Sequence, residues 1–212
     1  MLIKKSLQDY ISQTASGSPT PGGGSVSALA ASLGSALTNM VGNLTFGKKD
    51  YEALDQEVKE KMKRNFDKLE EKTKILQAIV DEDSKAFSQV IKAFQLPNHS
   101  EEEKRLRSQA IQAGYKKALE VPLKCAEECY QVLKLQEIFA QYGNTNAITD
   151  VGVGALLAYS GLEGSLLNVR INLSSIRDEK YKKDMEEKIN ILLQNGKRLK
   201  ETISKQVYDK LK

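Results

Sequence analysis

Asp83 lies where a carboxylate should cost free energy. Residues 76–94 carry Leu76, Ile79, Val80, Phe87, Val90, Ile91 and Phe94 at helical spacing, and Asp83 falls four after Ile79 and four before Phe87. A carboxylate on a core-facing stripe must be paired or neutral. Desolvation raises its pKa and suits it to carry a proton near neutral pH. The same pattern fits a buried Asp that caps a neighbouring helix or pairs with a lysine. Asp81 sits about 200° round the helix from Asp83 and is expected to stay outside a shared pocket.

A second polar set follows a three-or-four spacing: Asp150, Gly154, Leu157, Gly161, Gly164, Asn168 and Asn172. Asp150 and Asn168 are eighteen residues apart, five helical turns. The small residues between them let another backbone approach. Such a face is either a close-packed seam or a site with Asp and Asn at its margins.

"PGGGS", residues 21–25, runs into a helical stretch, so free amides and the positive dipole end could receive an anion. It matches neither G-x-x-x-x-G-K-[ST] nor G-x-G-x-x-G, and no strand precedes it, which argues against a nucleotide loop. The plainer reading is a tight turn against a neighbouring helix. Lys48 and Lys49 follow that helix and either hold a carboxylate-bearing ligand or are solvated helix-terminal lysines. Cys125 and Cys129, one turn apart, do not suit a disulfide, and with His99 the sole histidine a zinc site is not expected. The cysteines read as core residues, and His99 as a surface loop residue.

The elements that must place these residues are helical almost throughout. Six helices are expected, at about 3–13, from the glycines to near 46–50, 51–95, from 100 past a kink at Pro122 to about 142, 146–173 and 178–211. "SEEE" from Ser100 offers an N-cap with acidic residues in the first turn. The second helix has no charge, and the fifth carries only Asp150, Glu163 and Arg170. Helices apolar all round belong at the centre of a bundle, wrapped by the amphipathic others. The fold class is therefore all-α, one domain over residues 1–212, a bundle with two nearly uncharged central helices.

Composition agrees. The 212 residues are 40% hydrophobic and 28% charged, with four prolines and 6% aromatics. A net charge of +4 with interleaved signs does not suggest a nucleic-acid binder. No charge falls between residues 10 and 47, yet that stretch is too rich in Ser, Thr, Asn and Gly for a membrane span. The N-terminus lacks a signal-peptide core, and the cysteine usage fits a reducing cytoplasm.

Three blocks carry a specific likeness: "SPTPGGGSVSALAASLGSALTNMVGNLTFGKK", "VDEDSKAF" and "GNTNAITDVGVGALLAYSGLEGSLLNVRINL". In order and spacing the chain resembles the cyclodeaminase domain of formiminotransferase-cyclodeaminase and its stand-alone bacterial relatives, which include methenyltetrahydrofolate cyclohydrolases. The resemblance implies an all-α enzyme that acts on tetrahydrofolate derivatives, holds no metal or prosthetic group, and assembles as a homodimer or larger ring. It implies that Asp83 is the catalytic general acid/base. Pro21, Gly22, Gly23, Gly24 and Ser25 would form part of the folate pocket wall. Asn144, Asp150, Asn168 and Asn172 would hold the pterin or orient Asp83, and Lys48 and Lys49 would hold the glutamate tail. Cyclodeaminase and cyclohydrolase chemistry need the same group and stay undivided. A non-catalytic helical binding protein is the reading of another class, and it requires Asp83 to be sealed from every cavity.

Overall fold

The structure is a computed structural model that describes residues 1–86 and 88–212. Its helices are α1 Leu7–Thr14, α2 Gly23–Thr45, α3 Lys49–Glu52, α4 Gln56–Ala86, α5 Ser88–Phe94, α6 Glu101–Ala118, α7 Glu120–Tyr142, α8 Ile148–Leu173 and α9 Glu179–Lys210. Seven of them have eight residues or more, and no strand occurs among the described residues. Phe87, which the spacing places on the apolar stripe, lies outside the described residues.

Local chemistry explains the boundaries. Ser6 caps α1 by accepting the Asp9 amide at 3.1 Å. Ser100 and Glu103 close a capping box at α6, as "SEEE" predicts. Asp178 caps α9 by accepting the Tyr181 amide at 3.0 Å. After α2, Gly47 takes φ +73°, a left-handed turn that favours glycine.

Two expected helices are broken. The third divides after Glu52, into α3 and the run that begins with α4: Tyr51 is buried against the Phe46 ring at 5.2 Å, which turns the chain before α4 begins. The fourth divides at Leu119 and does not merely kink at Pro122. Leu119 ends α6 and begins α7, and Pro122 sits in the first turn of α7, where its missing N–H costs little. Ile91 and Phe94 are exposed instead of core.

The Ser/Thr/Asn content of α2 has a packing cause. Ser25 Oγ donates to Val80 O at 2.8 Å, Ser35 Oγ to Leu69 O at 2.9 Å and Asn39 Nδ2 to Phe66 O at 2.9 Å. As the α2 number rises by 14, the α4 number falls by 14 (25 to 39 against 80 to 66), so the helices run antiparallel in fixed register. Each rung contributes on the order of 1 kcal/mol.

Glycines set a second antiparallel register, between α2 and α8. A Cβ on Gly34 would meet Gly154 O at 2.5 Å, and one on Gly161 would meet Ala31 Cβ at 2.7 Å. The small residues of α8 are therefore a close-packed seam. Gln136 of α7 ties the far side, donating to Gly34 O at 3.1 Å and Thr38 Oγ1 at 2.9 Å.

The two nearly uncharged helices are not enclosed, contrary to expectation. They pack on each other, but each keeps an open apolar face. Leu33 of α2 is 50% exposed, and Leu167 and Ile171 of α8 are 62% and 69% exposed. Val26, Met40 and Leu44, with Val153 and Leu156, extend the same surface. Lack of charge marks these helices as unsuited to water, but it does not require their own chain to cover them. No helix among the described residues is long and apolar enough to cross a membrane.

Candidate functional site

Both registers converge on the first turn of α2. The α4 ladder continues past Ser25–Val80 and sets Asp83 on Gly24, where a Cβ would run into the carboxylate. The α8 seam continues past Gly161 and sets Asn168 over Gly23, where a Cβ would lie 3.2 Å from Asn168 Nδ2. The N-cap, Gly22, offers no side chain to the free amides of α2. Asp83 supplies the missing acceptor from another helix and takes the Ser25 backbone N–H.

Asp83 is both a helix cap and a cavity residue. It is half-buried and lines a 520 Å³ cavity with Thr20, Gly22, Gly23, Asn168 and Asn172. That volume suits a small organic ligand. Burial pushes the Asp83 carboxyl above the ordinary aspartate value, and the Ser25 amide partly offsets this by favouring the anion. No lysine pairs with it among the described residues' ion pairs.

A buried triad fixes the amide that Asp83 accepts. Tyr10 Oη and Ser25 Oγ are 3.0 Å apart, and Ser25 Oγ donates to Val80 O. The serine proton is thus committed, so the Tyr10 hydroxyl donates to Ser25 Oγ. Burial holds the Tyr10 phenol above its ordinary pKa, which keeps that proton in place. Asp81 is buried too, and it stays outside the cavity, as its angle round the helix predicts. It accepts the Leu2 N–H and pins the N-terminal turn.

Asn168 and Asn172 each donate one amide proton to their own helix, to Gly164 O at 2.8 Å and Asn168 O at 3.0 Å. Their carboxamide oxygens are acceptors at the cavity wall. Ser25 and Pro21 stand behind that wall, buried, and brace it.

The other candidates lie at the opposite end of the bundle. Thr45 is 21 residues along α2 from Gly24, about 32 Å at helical rise. There Lys48 and Asn144 line a separate 430 Å³ cavity, Lys49 is exposed, and Asp150 occupies the first turn of α8. Asn144 is a clamp: Nδ2 donates to Leu44 O at 2.9 Å, its amide to Thr45 Oγ1 at 2.9 Å, and Oδ1 accepts the Asn146 amide at 3.0 Å. Within one chain these four residues do not meet Asp83.

Cys125 and Cys129 are fully buried core residues, and burial pushes the Cys129 thiol up. His99 is exposed. Among the described residues no three His, Cys, Asp or Glu side chains gather to hold a metal. Sequence reasoning missed Tyr10, Thr20, Tyr115 and Ser175, all at or behind the cavity. Only their proximity in the fold distinguishes them.

Residues 6–191 match the family model described as formiminotransferase-cyclodeaminase. The chain belongs to that family. It is 37% identical over 211 residues to a methenyltetrahydrofolate cyclohydrolase of Methylorubrum extorquens, covering 100% of both chains. It is 35% identical over 196 residues to the formimidoyltransferase-cyclodeaminase of Rattus norvegicus, where the match spans 92% of this chain and 36% of the rat protein. The crystal structure of formiminotetrahydrofolate cyclodeaminase from Thermotoga maritima superposes with a TM-score of 0.86 at 28% identity, covering 100% of both chains.

Proposed function

We propose that this chain is a folate one-carbon enzyme, a formiminotetrahydrofolate cyclodeaminase in which Asp83 is the general acid/base. One observation carries the reading: a half-buried carboxylate with raised pKa opens onto a 520 Å³ cavity walled by two glycines and two asparagines. N10 of the substrate attacks the formimino carbon and gives a tetrahedral centre between N5 and N10. The N10 proton passes to the imino nitrogen, Asp83 delivers a second proton to the resulting amine, ammonia leaves, and the 5,10-methenyl bridge forms. Gly22 and Gly23 let a flat pterin approach the backbone, and the carboxamide oxygens of Asn168 and Asn172 accept from its N–H groups. Asp83 opens to a cavity instead of being sealed, which counts against a purely structural role.

The full-length likeness to a cyclohydrolase favours a second reading. There Asp83, ionised, takes a proton from water as it adds to the methenyl carbon. The C–N5 bond then breaks to leave 10-formyltetrahydrofolate. Offering formimino- and methenyltetrahydrofolate in turn, and following the methenyl absorbance, separates the two: absorbance rises in the first case and falls in the second.

The open α2/α8 face is covered, in this reading, by a second copy of the chain. A two-fold axis crossing α2 near Leu33 would bring the Lys48 end of one copy beside the Asp83 end of the other. Lys48, Lys49, Asn144 and Asp150 enter the site only in that way. The compartment proposed is the cytoplasm, where folate substrates and reduced thiols are both at hand.

A further inference from the structure

The Asp83 cavity does not end at Asn172. Its outer wall, Tyr115 and Ser175, is shared with a second cavity of 540 Å³ between α6 and the turn after α8. The walls differ sharply in charge. Among the described residues Asp83 is the charged residue of the first cavity's lining. The second is lined by Lys104, Arg107 and Arg177 and by no carboxylate among the described residues, though Lys104 is already paired with Glu101 at 2.6 Å.

These cations are partly preorganised. Gln112 grips the turn at both faces, donating to Ser175 O at 3.0 Å and accepting the Arg177 amide at 2.7 Å. The Arg177 guanidinium is drawn back over the cavity by Ser108, to which Nη1 donates at 3.2 Å. Arg107 donates to Phe94 O at 2.9 Å and lies over the Phe94 ring at 5.7 Å, which holds the cavity's floor. A fork-shaped guanidinium in a concave wall without acids selects planar carboxylates.

We infer that Arg177, supported by Arg107, holds the glutamate-tail carboxylates of a pteroylglutamate whose pterin end sits at Asp83. This rests on the folate reading and deepens it. It places the tail within one chain, beside the reacting end, instead of on Lys48 and Lys49, which lie about 32 Å away in the same chain and would reach Asp83 only from a second copy.

The test is equilibrium binding of tetrahydropteroate, tetrahydrofolate and its triglutamate to the full chain. It is made with wild type, Arg177→Gln and a Lys48→Gln/Lys49→Gln double variant, with turnover measured separately. Wild type should bind the triglutamate more tightly than the pteroate. Arg177→Gln should shrink that ratio by about ten- to a hundredfold, the size of one or two charge-assisted hydrogen bonds. An unchanged ratio in Arg177→Gln, or a ratio that collapses only in the lysine double variant, overturns the inference. A ratio that depends on Arg177 in a protein that turns over no folate would uphold it and sink the enzymatic reading instead.

Discussion

The Asp83 carboxylate rests on the backbone of Gly24, in the space where any other residue would carry its Cβ. The contact joins the two features that stand out in the sequence, the glycine run and the acid in the apolar stripe. It makes one group the cap of a helix and the acid of a cavity. Gly24→Ala therefore strikes both roles. It should destabilise the fold by about 1–3 kcal/mol and lower turnover at least tenfold. Thermal unfolding and initial rates check this, and an Ala variant with wild-type rates would mean that the carboxylate moves aside freely.

Asp83→Asn keeps an acceptor for the Ser25 amide but cannot carry the proton. Turnover should drop by about 10²- to 10⁴-fold while the fold survives. The stability effect has a definite sign. The folded-state pKa is raised, so the folded chain binds the proton more tightly than the unfolded chain. Wild-type stability from this group is full below the ordinary aspartate value of 3.8 and is lost as pH rises through the folded value. The Asn variant should gain on wild type across that window and hold the gain at neutral pH. Urea unfolding as a function of pH reads the difference, and a gap that widens toward acid contradicts the assignment.

Tyr10→Phe removes the proton that Tyr10 gives to Ser25 Oγ, 3.0 Å away, and leaves the rest of the ring packed. The expected cost is about 1 kcal/mol. The pH-rate limb assigned to Asp83 should move, because the Ser25 amide that Asp83 accepts is less firmly held. A limb that stays at its wild-type pH would confine Tyr10 to stability.

Leu33→Glu and Leu167→Glu place a charge on the open apolar face, where both residues are at least half exposed. In a lone chain such changes are nearly neutral. In a dimer across this face they should yield monomers at micromolar concentration, read by light scattering after gel filtration. A wild-type chain that is monomeric at those concentrations would refute the pairing.

Much of the site was legible because helical spacing reports which residues share a face. Asp83 stood out as an acid among Leu76, Ile79 and Val80, and all three are buried as that stripe requires. Asn168 and Gly154 shared a face, and the α2/α8 seam uses it. Spacing gives no register between helices. The ladder from Ser25 to Asn39 and the glycine seam decide that Asp83 and Asn168 meet at Gly23 and Gly24 while Asn144 and Asp150 do not. Composition places α2 and α8 at the centre, but lack of charge does not say what covers their open faces. Breaks at Leu119 and after Glu52 escaped because the apolar period runs through both.

The most direct test of the Asp83 assignment pairs absorbance with binding. Purified wild type and Asp83→Asn are mixed with formiminotetrahydrofolate and, separately, with methenyltetrahydrofolate. The methenyl band is followed while affinity is measured by dialysis. Wild type should change the band with one of the two substrates, and Asp83→Asn should bind that substrate within a few-fold of wild type yet leave the band almost still. An Asn variant that turns the substrate over at the wild-type rate would contradict the role of Asp83 as the proton carrier.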